Sequence, residues 1–139
     1  MNRPVTADEL RALPLFAGLS DAGLERLLSS AGEIECEPGQ VLVLRGEPGA
    51  GMYVVLDGTV TVELRGGLHT DLEPGNFFGE TALLVPSAVR GARVRALTAA
   101  RCLSVPRDDF LALVEGEPSL ALEMLRELAR RLADTSLDA

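Results

Sequence analysis

Short apolar runs separated by turn signals dominate the middle of the sequence. The runs are QVLVL, MYVVL, TVTVEL, ARVRAL and ARCLSV, and the turn signals are EPG at 37–39, RGEPGAG at 45–51, DG at 57–58, GG at 66–67 and EPG at 73–75. Runs of this kind with turn signals about every eight to twelve residues are typical of an all-β sandwich or barrel. We therefore expect a β jelly-roll barrel over about residues 33–105.

Asp57-Gly58 is a turn signal that indicates a particular turn geometry. An Asp-Gly pair between two apolar runs predicts a tight hairpin, here joining MYVVL to TVTVEL. Polar and apolar side chains alternate along residues 59–64. This period of two predicts a strand with one buried face.

Helical signals precede the strand region. Thr6 and Glu9 have the spacing of a capping box, which predicts that a helix begins between them. Ser20 is suited to cap a second helix, whose Leu24, Leu27 and Leu28 would share one face. We expect these helices within about residues 6–31.

Helical signals return after the strands, over about residues 106–137. Asp108 and Asp109 suit a first helical turn, Gly116 suits a helix end, and Pro118 suits the start of a last helix. In that helix three leucines recur at three- and four-residue spacing, and Thr135 continues the stripe; the leucines are Leu125, Leu128 and Leu132. The spacing fits either a helix packed on its own barrel or a dimer seam.

Length and composition place these elements in one domain. A chain of 139 residues, 47% of them hydrophobic, can bury a core by itself. The predicted fold class is mainly β with flanking helices (α+β), in one domain spanning residues 1–139. The sequence has no apolar run approaching the roughly 18–20 residues of a membrane span and no signal-like start, so we expect a cytoplasmic protein without membrane contact.

Charge and residue usage exclude several functions. The net charge is −8, and the 13 basic residues are all arginine. A chain without lysine cannot have a Walker-type phosphate loop or a Schiff-base lysine. An acidic chain is also a poor nucleic-acid binder, so we expect no direct nucleic-acid contact.

Catalytic and metal-binding patterns are absent from the sequence. Cys36 and Cys102 lie far apart without metal-ligand spacing, and we expect both to be buried thiols. The single histidine, His69, lies in a predicted hairpin, where a solvated position is expected. With no nucleophile motif and no cysteine cluster, we expect neither an enzyme nor a bound cofactor or metal.

The stretch NFFGETALLVPSAVRGARVRA at 76–96 is the candidate binding segment. Gly79 permits close backbone approach, and a helical turn at residues 80–84 would present free N–H groups to an anion. Arg90, beside Gly91 and Ala92, can supply a bidentate cation, and Glu80 can accept a hydroxyl. These residues suit a ligand with a phosphate and a hydroxyl, such as a nucleotide. The alternative is that Glu80 and Arg90 merely pair with each other on the surface.

The chain from about Leu13 to Ser136 resembles a cyclic nucleotide-binding domain of the catabolite activator protein and protein kinase A regulatory-subunit superfamily. PLFAGLS at 14–20 resembles the entry helix, and VPRDDF at 105–110 resembles the segment entering the next helix. FGETALL at 78–84, followed by Arg90, resembles the phosphate-binding cassette. Five further residues fall where the family places turn and barrel residues: Gly39, Gly46, Tyr53, Gly58 and Gly75.

The resemblance implies a role for each matching position. Glu80 would accept the ribose 2′-hydroxyl. Arg90 would meet phosphate oxygens, helped by backbone N–H groups of the cassette around Gly79, Thr81 and Ala82. Many relatives carry alanine, serine or threonine where this chain has Gly91. A hydroxyl there often supports phosphate or guanine contact, so its absence favours cyclic AMP over cyclic GMP.

The tail ARRLADTS at 129–136 resembles the long helix of the catabolite activator protein. By that resemblance, Thr135 would bind the adenine edge in its own subunit and Ser136 would do so from a dimer partner. Arg131 could support the ribose side. The alternative is that Thr135 and Ser136 are frayed polar residues near the end of the helix.

The resemblance implies a regulatory sensor whose last helix moves when cyclic AMP binds and signals to an unidentified effector protein. A homodimer through that helix is one way to deliver the signal. Transcription factors of this family continue into a helix-turn-helix, whereas this sequence stops three residues after Ser136. We therefore expect a stand-alone sensor or a fragment of a longer chain. The alternative function is a degenerate fold that binds no nucleotide and serves as a dimerisation or interaction module.

Overall fold

The structure, a computed structural model, describes residues 5–43, 51–63, 65–80, 84 and 93–134. Its strands form two four-stranded antiparallel sheets, which confirms the predicted jelly-roll arrangement of a mainly β chain, although no pairing among the described strands closes the two sheets into a barrel. The strands are β1 (Gly32–Cys36), β2 (Val41–Val43), β3 (Gly51–Asp57), β4 (Val60–Glu63), β5 (His69–Leu72), β6 (Phe77–Phe78), β7 (Arg93–Ala96) and β8 (Ala100–Pro106).

Helices lie on both sides of the strands in the sequence, as predicted. They are α1 (Ala7–Arg11), α2 (Asp21–Ser30), α3 (Arg107–Gly116) and α4 (Pro118–Asp134). The Thr6 hydroxyl accepts a hydrogen bond from the Glu9 N–H at 3.1 Å, and the Ser20 hydroxyl accepts one from the Gly23 N–H at 3.0 Å. Both predicted N-caps are therefore confirmed.

The chain passes repeatedly between the two sheets. The first sheet has the order β1-β8-β3-β6 and the second has the order β2-β7-β4-β5. Among the described strands, β4 and β5 are the one consecutive pair within a sheet, joined through a short 3₁₀ turn at Arg65–Gly67. Every other consecutive pair is divided between the sheets, so the chain passes from one sheet to the other at each of these connections.

The predicted hairpin at Asp57-Gly58 is wrong. Gly58 does form a turn with φ of 81°, but β3 pairs with β6 and β8 while β4 pairs with β5 and β7. The turn instead carries the chain from the first sheet to the second. It packs against a second crossing turn at residues 97–99, where the Thr59 N–H donates to the Thr98 hydroxyl at 3.0 Å.

We expect Gly58→Ala to destabilise the fold strongly, because a Cβ at this position would lie 2.2 Å from the carbonyl oxygen of Ala99. Gly66 is a matched control, since its φ is also 81° and a Cβ there would meet no atom within 4 Å beyond its chain neighbours. Gly66→Ala should therefore show only the left-handed backbone cost of about 1–2 kcal/mol. Gly58→Ala should cost about 2 kcal/mol more through overpacking. Urea denaturation of both variants measures the difference, and equal losses would contradict this account of the crossing turn.

The larger core lies between the helices and one face of the first sheet. Met52, Val54 and Leu56 of β3 alternate into it, and Leu103 and Val105 of β8 do the same. Buried residues from the four helices and their connections complete it, including Leu10, Phe16, Leu24, Leu27, Phe110, Leu113, Leu120 and Met124. This core fixes the helices against the sheet that carries β6.

A second core lies between the two sheets. Val55, Phe78 and Cys102 enter it from the first sheet, and Val60 and Val94 enter it from the second. Since β3 is buried on both faces, its sequence is an almost unbroken apolar run rather than an alternating one. The two cores place the sheets and helices in three layers.

Both cysteines are buried and free, as predicted. Burial, together with a smaller effect of the neighbouring Cys36, raises the pKa of the Cys102 thiol to about 12, and burial also raises the pKa of Cys36. His69 is exposed on β5, which confirms its predicted solvated position. The thiols are therefore protonated core groups rather than reactive sites.

The leucine stripe predicted in the last helix is divided between two environments. Leu120 and Met124 pack α4 onto the larger core, with Leu128 partly buried against it. Leu125 and Leu132 are 64% and 62% exposed. The helix thus packs on its own chain mainly through residues earlier than the predicted stripe, with Leu128 as the one stripe leucine that joins them, and the dimer seam stays a prediction.

Candidate functional site

The candidate site begins at β6, which two phenylalanines anchor on opposite sides of the first sheet. Phe77 enters the helix-facing core, while Phe78 enters the core between the sheets. The Phe78 ring stacks on Tyr53, with 5.0 Å between the ring centroids. Gly79 follows with φ of 92°, a left-handed conformation that favours glycine, and turns the chain out of the sheet. This turn places Glu80 directly beyond the strand.

Glu80 is joined to the last helix by an ion pair. The Arg131 guanidinium donates through Nη1 to Oε1 of Glu80 at 2.9 Å. The Glu80 side chain is 12% exposed and that of Arg131 is 29% exposed. A charge-assisted bond at this depth is screened less than a surface pair. The pair connects two elements that are 51 residues apart in the chain.

Three further contacts fix the Arg131 side chain. Its Nη2 donates to the carbonyl oxygen of Phe77 at 2.5 Å, and its Nε donates to Oε2 of Glu127 at 3.0 Å. The guanidinium carbon lies 4.5 Å from the centroid of the Phe77 ring, within the range of a cation–π contact. Arg131 therefore contacts the carboxylate, the backbone and the ring at the end of β6 at the same time.

This arrangement places a hydroxyl acceptor, Glu80, beside a guanidinium that is already paired with two carboxylates. A carboxylate accepts hydrogen bonds from hydroxyl groups, and a guanidinium binds anionic oxygens. Because Glu80 follows β6 and Arg131 lies on α4, a molecule that contacts both would contact the sheet and the helix together.

The structure brings together two of the predicted site residues, Glu80 and Arg131, beside Gly79. The other seven lie outside the described residues: Thr81, Ala82, Arg90, Gly91, Ala92, Thr135 and Ser136. Their roles, and the alternative pairing of Glu80 with Arg90, stay predictions. Gly46, which the resemblance placed at a turn, also lies outside the described residues.

Two contributors to this site were missed by the sequence analysis. Glu127 orients the Arg131 guanidinium, and its i,i+4 spacing from Arg131 on a helix is the signal that could have found it. The carbonyl oxygen and ring of Phe77 bind the same guanidinium. No sequence signal marks a backbone carbonyl of this kind, because its position depends on the packing of α4 against the sheet.

A cleft of about 140 Å³ adjoins the Arg131 cluster. It lies between the 14–15 segment, the turn before β6 and α4, and its lining includes Phe77, Glu127 and Arg130. A larger cleft of about 220 Å³ lies on the outer face of the second sheet, away from Glu80 and Arg131. The Glu80 and Arg131 region is the candidate site, because its side-chain chemistry rather than the size of the cleft distinguishes it.

The described ranges show no group of three histidine, cysteine, aspartate or glutamate residues arranged to hold a metal ion. Over the same ranges, no helix combines the length and the apolar character needed to cross a membrane.

Comparison with known proteins gives a consistent family. The family model described as "Cyclic nucleotide-binding domain" matches residues 33–117. A cyclic nucleotide-gated potassium channel of Mesorhizobium japonicum is 36% identical over 118 residues, which are 85% of this chain and 32% of the channel. A CRP-like cAMP-activated global transcriptional regulator of Mycobacterium tuberculosis is 27% identical over 127 residues, 88% of this chain and 56% of that protein.

Solved structures agree with the sequence comparisons. The catabolite activator protein of Thermus thermophilus superimposes with a TM-score of 0.74 at 32% identity, over 90% of this chain and 61% of that one. The chain spans 27% and 56% of the lengths of the first curated relatives that it matches.

Proposed function

The chain belongs to the cyclic nucleotide-binding domain family, and from this premise we propose that it is a regulatory sensor domain that binds cyclic AMP. In this proposal, the ligand lies between the segment after β6 and the end of α4. Binding favours one placement of α4, and that placement is the signal to an effector protein. The domain binds and signals; it does not catalyse.

The ion pair between Glu80 and Arg131 is the observation that carries the proposal. It connects the end of β6 directly to α4 at 2.9 Å. A sensor needs a ligand that interacts differently with two placements of a mobile element. A ribose hydroxyl at Glu80 would contact the carboxylate that also holds Arg131, so ligand binding and helix placement would share one group.

The remaining predicted residues complete the proposed ligand contacts. Arg90 binds the phosphate, assisted by the backbone at Gly79, Thr81, Ala82, Gly91 and Ala92. Thr135 and Ser136 meet the base, with Ser136 contributed across a homodimer formed through α4. Gly91 offers no hydroxyl to a guanine, which supports cyclic AMP as the preferred ligand over cyclic GMP.

Thermal melting with added nucleotide tests this function. A ligand at 100 times its Kd stabilises the folded state by about 2.7 kcal/mol, and we expect a rise in Tm of several degrees with cyclic AMP. Cyclic GMP at the same concentration should give a smaller rise. Adenosine 5′-monophosphate is the control, because it keeps the base and ribose but lacks the cyclic phosphate. An unchanged Tm with both cyclic nucleotides would contradict the proposal.

The second candidate is an interaction module that binds no nucleotide. It is favoured by the same ion pair, since Glu80, Arg131 and Glu127 already supply one another with opposite charges. In that case the cluster would serve only to attach α4 to the sheet. The melting experiment separates the two candidates, because the module would show the same Tm with and without nucleotide.

A further inference from the structure

The junction between α3 and α4 is tied to the start of α2. Glu117 lies between the last residue of α3 and the first residue of α4. Its carboxylate accepts two hydrogen bonds from Ser20, one from the backbone N–H and one from the hydroxyl, both at 2.9 Å. The backbone bond and then the hydroxyl bond hold the pKa of the Glu117 carboxyl below its usual value. We call this pair of residues the Glu117–Ser20 clamp.

Two glycines allow the junction to lie this close to the N-terminal helices. A Cβ on Gly23 would lie 2.7 Å from the carboxylate carbon of Glu117, and a Cβ on Gly18 would lie 2.9 Å from the Cβ of Ser119. Real Cβ contacts do not occur at such distances, so a larger residue at position 23 would displace the Glu117 carboxylate and one at position 18 would press on Ser119. The clamp is therefore supported by close packing on both sides of Ser20.

The clamp is at one end of α4 and Arg131 is near the other. Arg131 follows Pro118 by thirteen positions, which corresponds to about 20 Å of α-helix. A rotation of about 6° at the junction would move a point 20 Å away by about 2 Å. Such a displacement exceeds the tolerance of a hydrogen bond of 2.9 Å. The contact between Arg131 and Glu80 thus depends on the angle at which α4 leaves the junction.

The residues that pack α4 most deeply on the core lie in the first half of the helix, and they determine the angle of α4. Leu120 and Met124 are 0% and 3% exposed, whereas Leu125 and Leu132 are largely exposed. The two fully buried apolar residues of α4 therefore lie within two turns of Glu117, and Leu128 is partly buried against the same core. Beyond them, Arg131 is the residue that joins the helix to the end of β6.

We infer that Glu117 is a positioning residue for the candidate site: by binding Ser20 it sets the direction of α4 and so places Arg131 on Glu80. Ligand binding and the N-terminal helices are then coupled. A change at Ser20 moves α4, and a change at Glu80 alters the stability of the Glu117–Ser20 clamp. The effect on nucleotide affinity rests on the proposed function. The effect on α4 itself does not.

Hydrogen exchange tests the inference without a ligand. We expect Glu117→Ala to speed amide exchange about fivefold in residues 125–134, with little change in β8. Glu115→Ala is the matched control, because it removes the same charge from an exposed position two residues earlier. Glu117→Gln keeps an acceptor for the Ser20 N–H and should restore much of the protection. Unchanged exchange in α4, or an equal increase throughout the sheets, would overturn the inference.

A double-mutant cycle tests whether Glu117 acts through Arg131. In an Arg131→Ala background, Glu117→Ala should add little to the exchange at the end of α4, since the contact that it positions is already gone. Fully additive effects would contradict a positioning role.

Calorimetric titration of cyclic AMP is the one of these experiments that rests on the proposed function. We expect Kd to rise about fivefold in Glu117→Ala and to change less than twofold in Glu115→Ala. If the unaltered protein binds no nucleotide, the proposed function fails, and the exchange measurements still decide the inference. If it binds and Glu117→Ala has the same Kd as the unaltered protein, the inference fails alone.

Discussion

Replacement of Arg90 by alanine is expected to raise the Kd for cyclic AMP by about 100-fold or more, equal to about 2.7 kcal/mol. The reason is that, in the proposed site, the phosphate is bound by one permanently charged guanidinium. Removing one partner of such a pair leaves the other charge without compensation, and this typically costs about 2–5 kcal/mol. Isothermal titration calorimetry at matched protein concentration measures the change.

Arg93→Ala is the matched control for this prediction. It removes the same charge three residues later, from a side chain that is 48% exposed and paired with Glu63 at 2.6 Å on β4. We expect less than a twofold change in Kd for this variant, because a rim charge contributes little to affinity. Arg90→Lys should fall between the two, since it keeps the charge but loses the bidentate geometry. Equal binding by Arg90→Ala and the unaltered protein, with both folded, would show that the phosphate lies elsewhere.

Local signals in the sequence were sufficient to predict the types of the elements. Valine- and leucine-rich runs between glycine turns predicted the strands, and Thr6, Ser20 and Pro118 marked helix starts that the structure confirms. These signals act within a few residues, so they can be identified without knowledge of the tertiary fold.

Strand pairing was not predictable in the same way. The Asp57-Gly58 turn looks identical in sequence whether its flanking strands pair or diverge, because pairing depends on partners such as β8, more than 40 residues away. The burial of Thr61, which is 2% exposed within the apparently polar face of β4, has the same origin. Long-range packing decided both outcomes.

The candidate site likewise combines features that local sequence signals predict with features that depend on long-range packing. Gly79 and Glu80 were found from a glycine-glutamate pair that opens a short apolar run, but that pattern alone left a surface ion pair as an equal alternative. The partner that the structure provides for Glu80 is Arg131 rather than a residue of its own segment. Only the resemblance to a family directed attention to Arg131. Its contact with Phe77 required the placement of α4.

Replacement of Arg101 is expected to cause a large loss of stability. The Arg101 side chain is 9% exposed on β8 and contacts three carboxylates. Its Nη1 lies 2.7 Å from Glu9 and 2.9 Å from Asp57, and its Nε binds Glu33. One guanidinium thus connects α1, β1 and the end of β3. Without it, carboxylates of like charge face one another at a partly buried position.

Arg101→Met should reduce the free energy of unfolding by about 3 kcal/mol, because removing one member of a buried ion cluster leaves the other charges uncompensated. For a domain of this size, that corresponds to a fall in Tm of roughly 10 °C. Arg126→Met is the matched control: its partner Glu123 lies 2.8 Å away on the same exposed helix face, and we expect a loss below about 0.5 kcal/mol.

A second substitution identifies the cause of that loss. Adding Glu33→Gln to Arg101→Met removes one of the uncompensated charges, so the double variant should be more stable than Arg101→Met alone. If lost packing of the arginine stem were responsible instead, Glu33→Gln would give no recovery. Thermal unfolding of the two single variants and the double variant separates these outcomes. Recovery would establish that Arg101 stabilises the fold by compensating the carboxylates gathered around it.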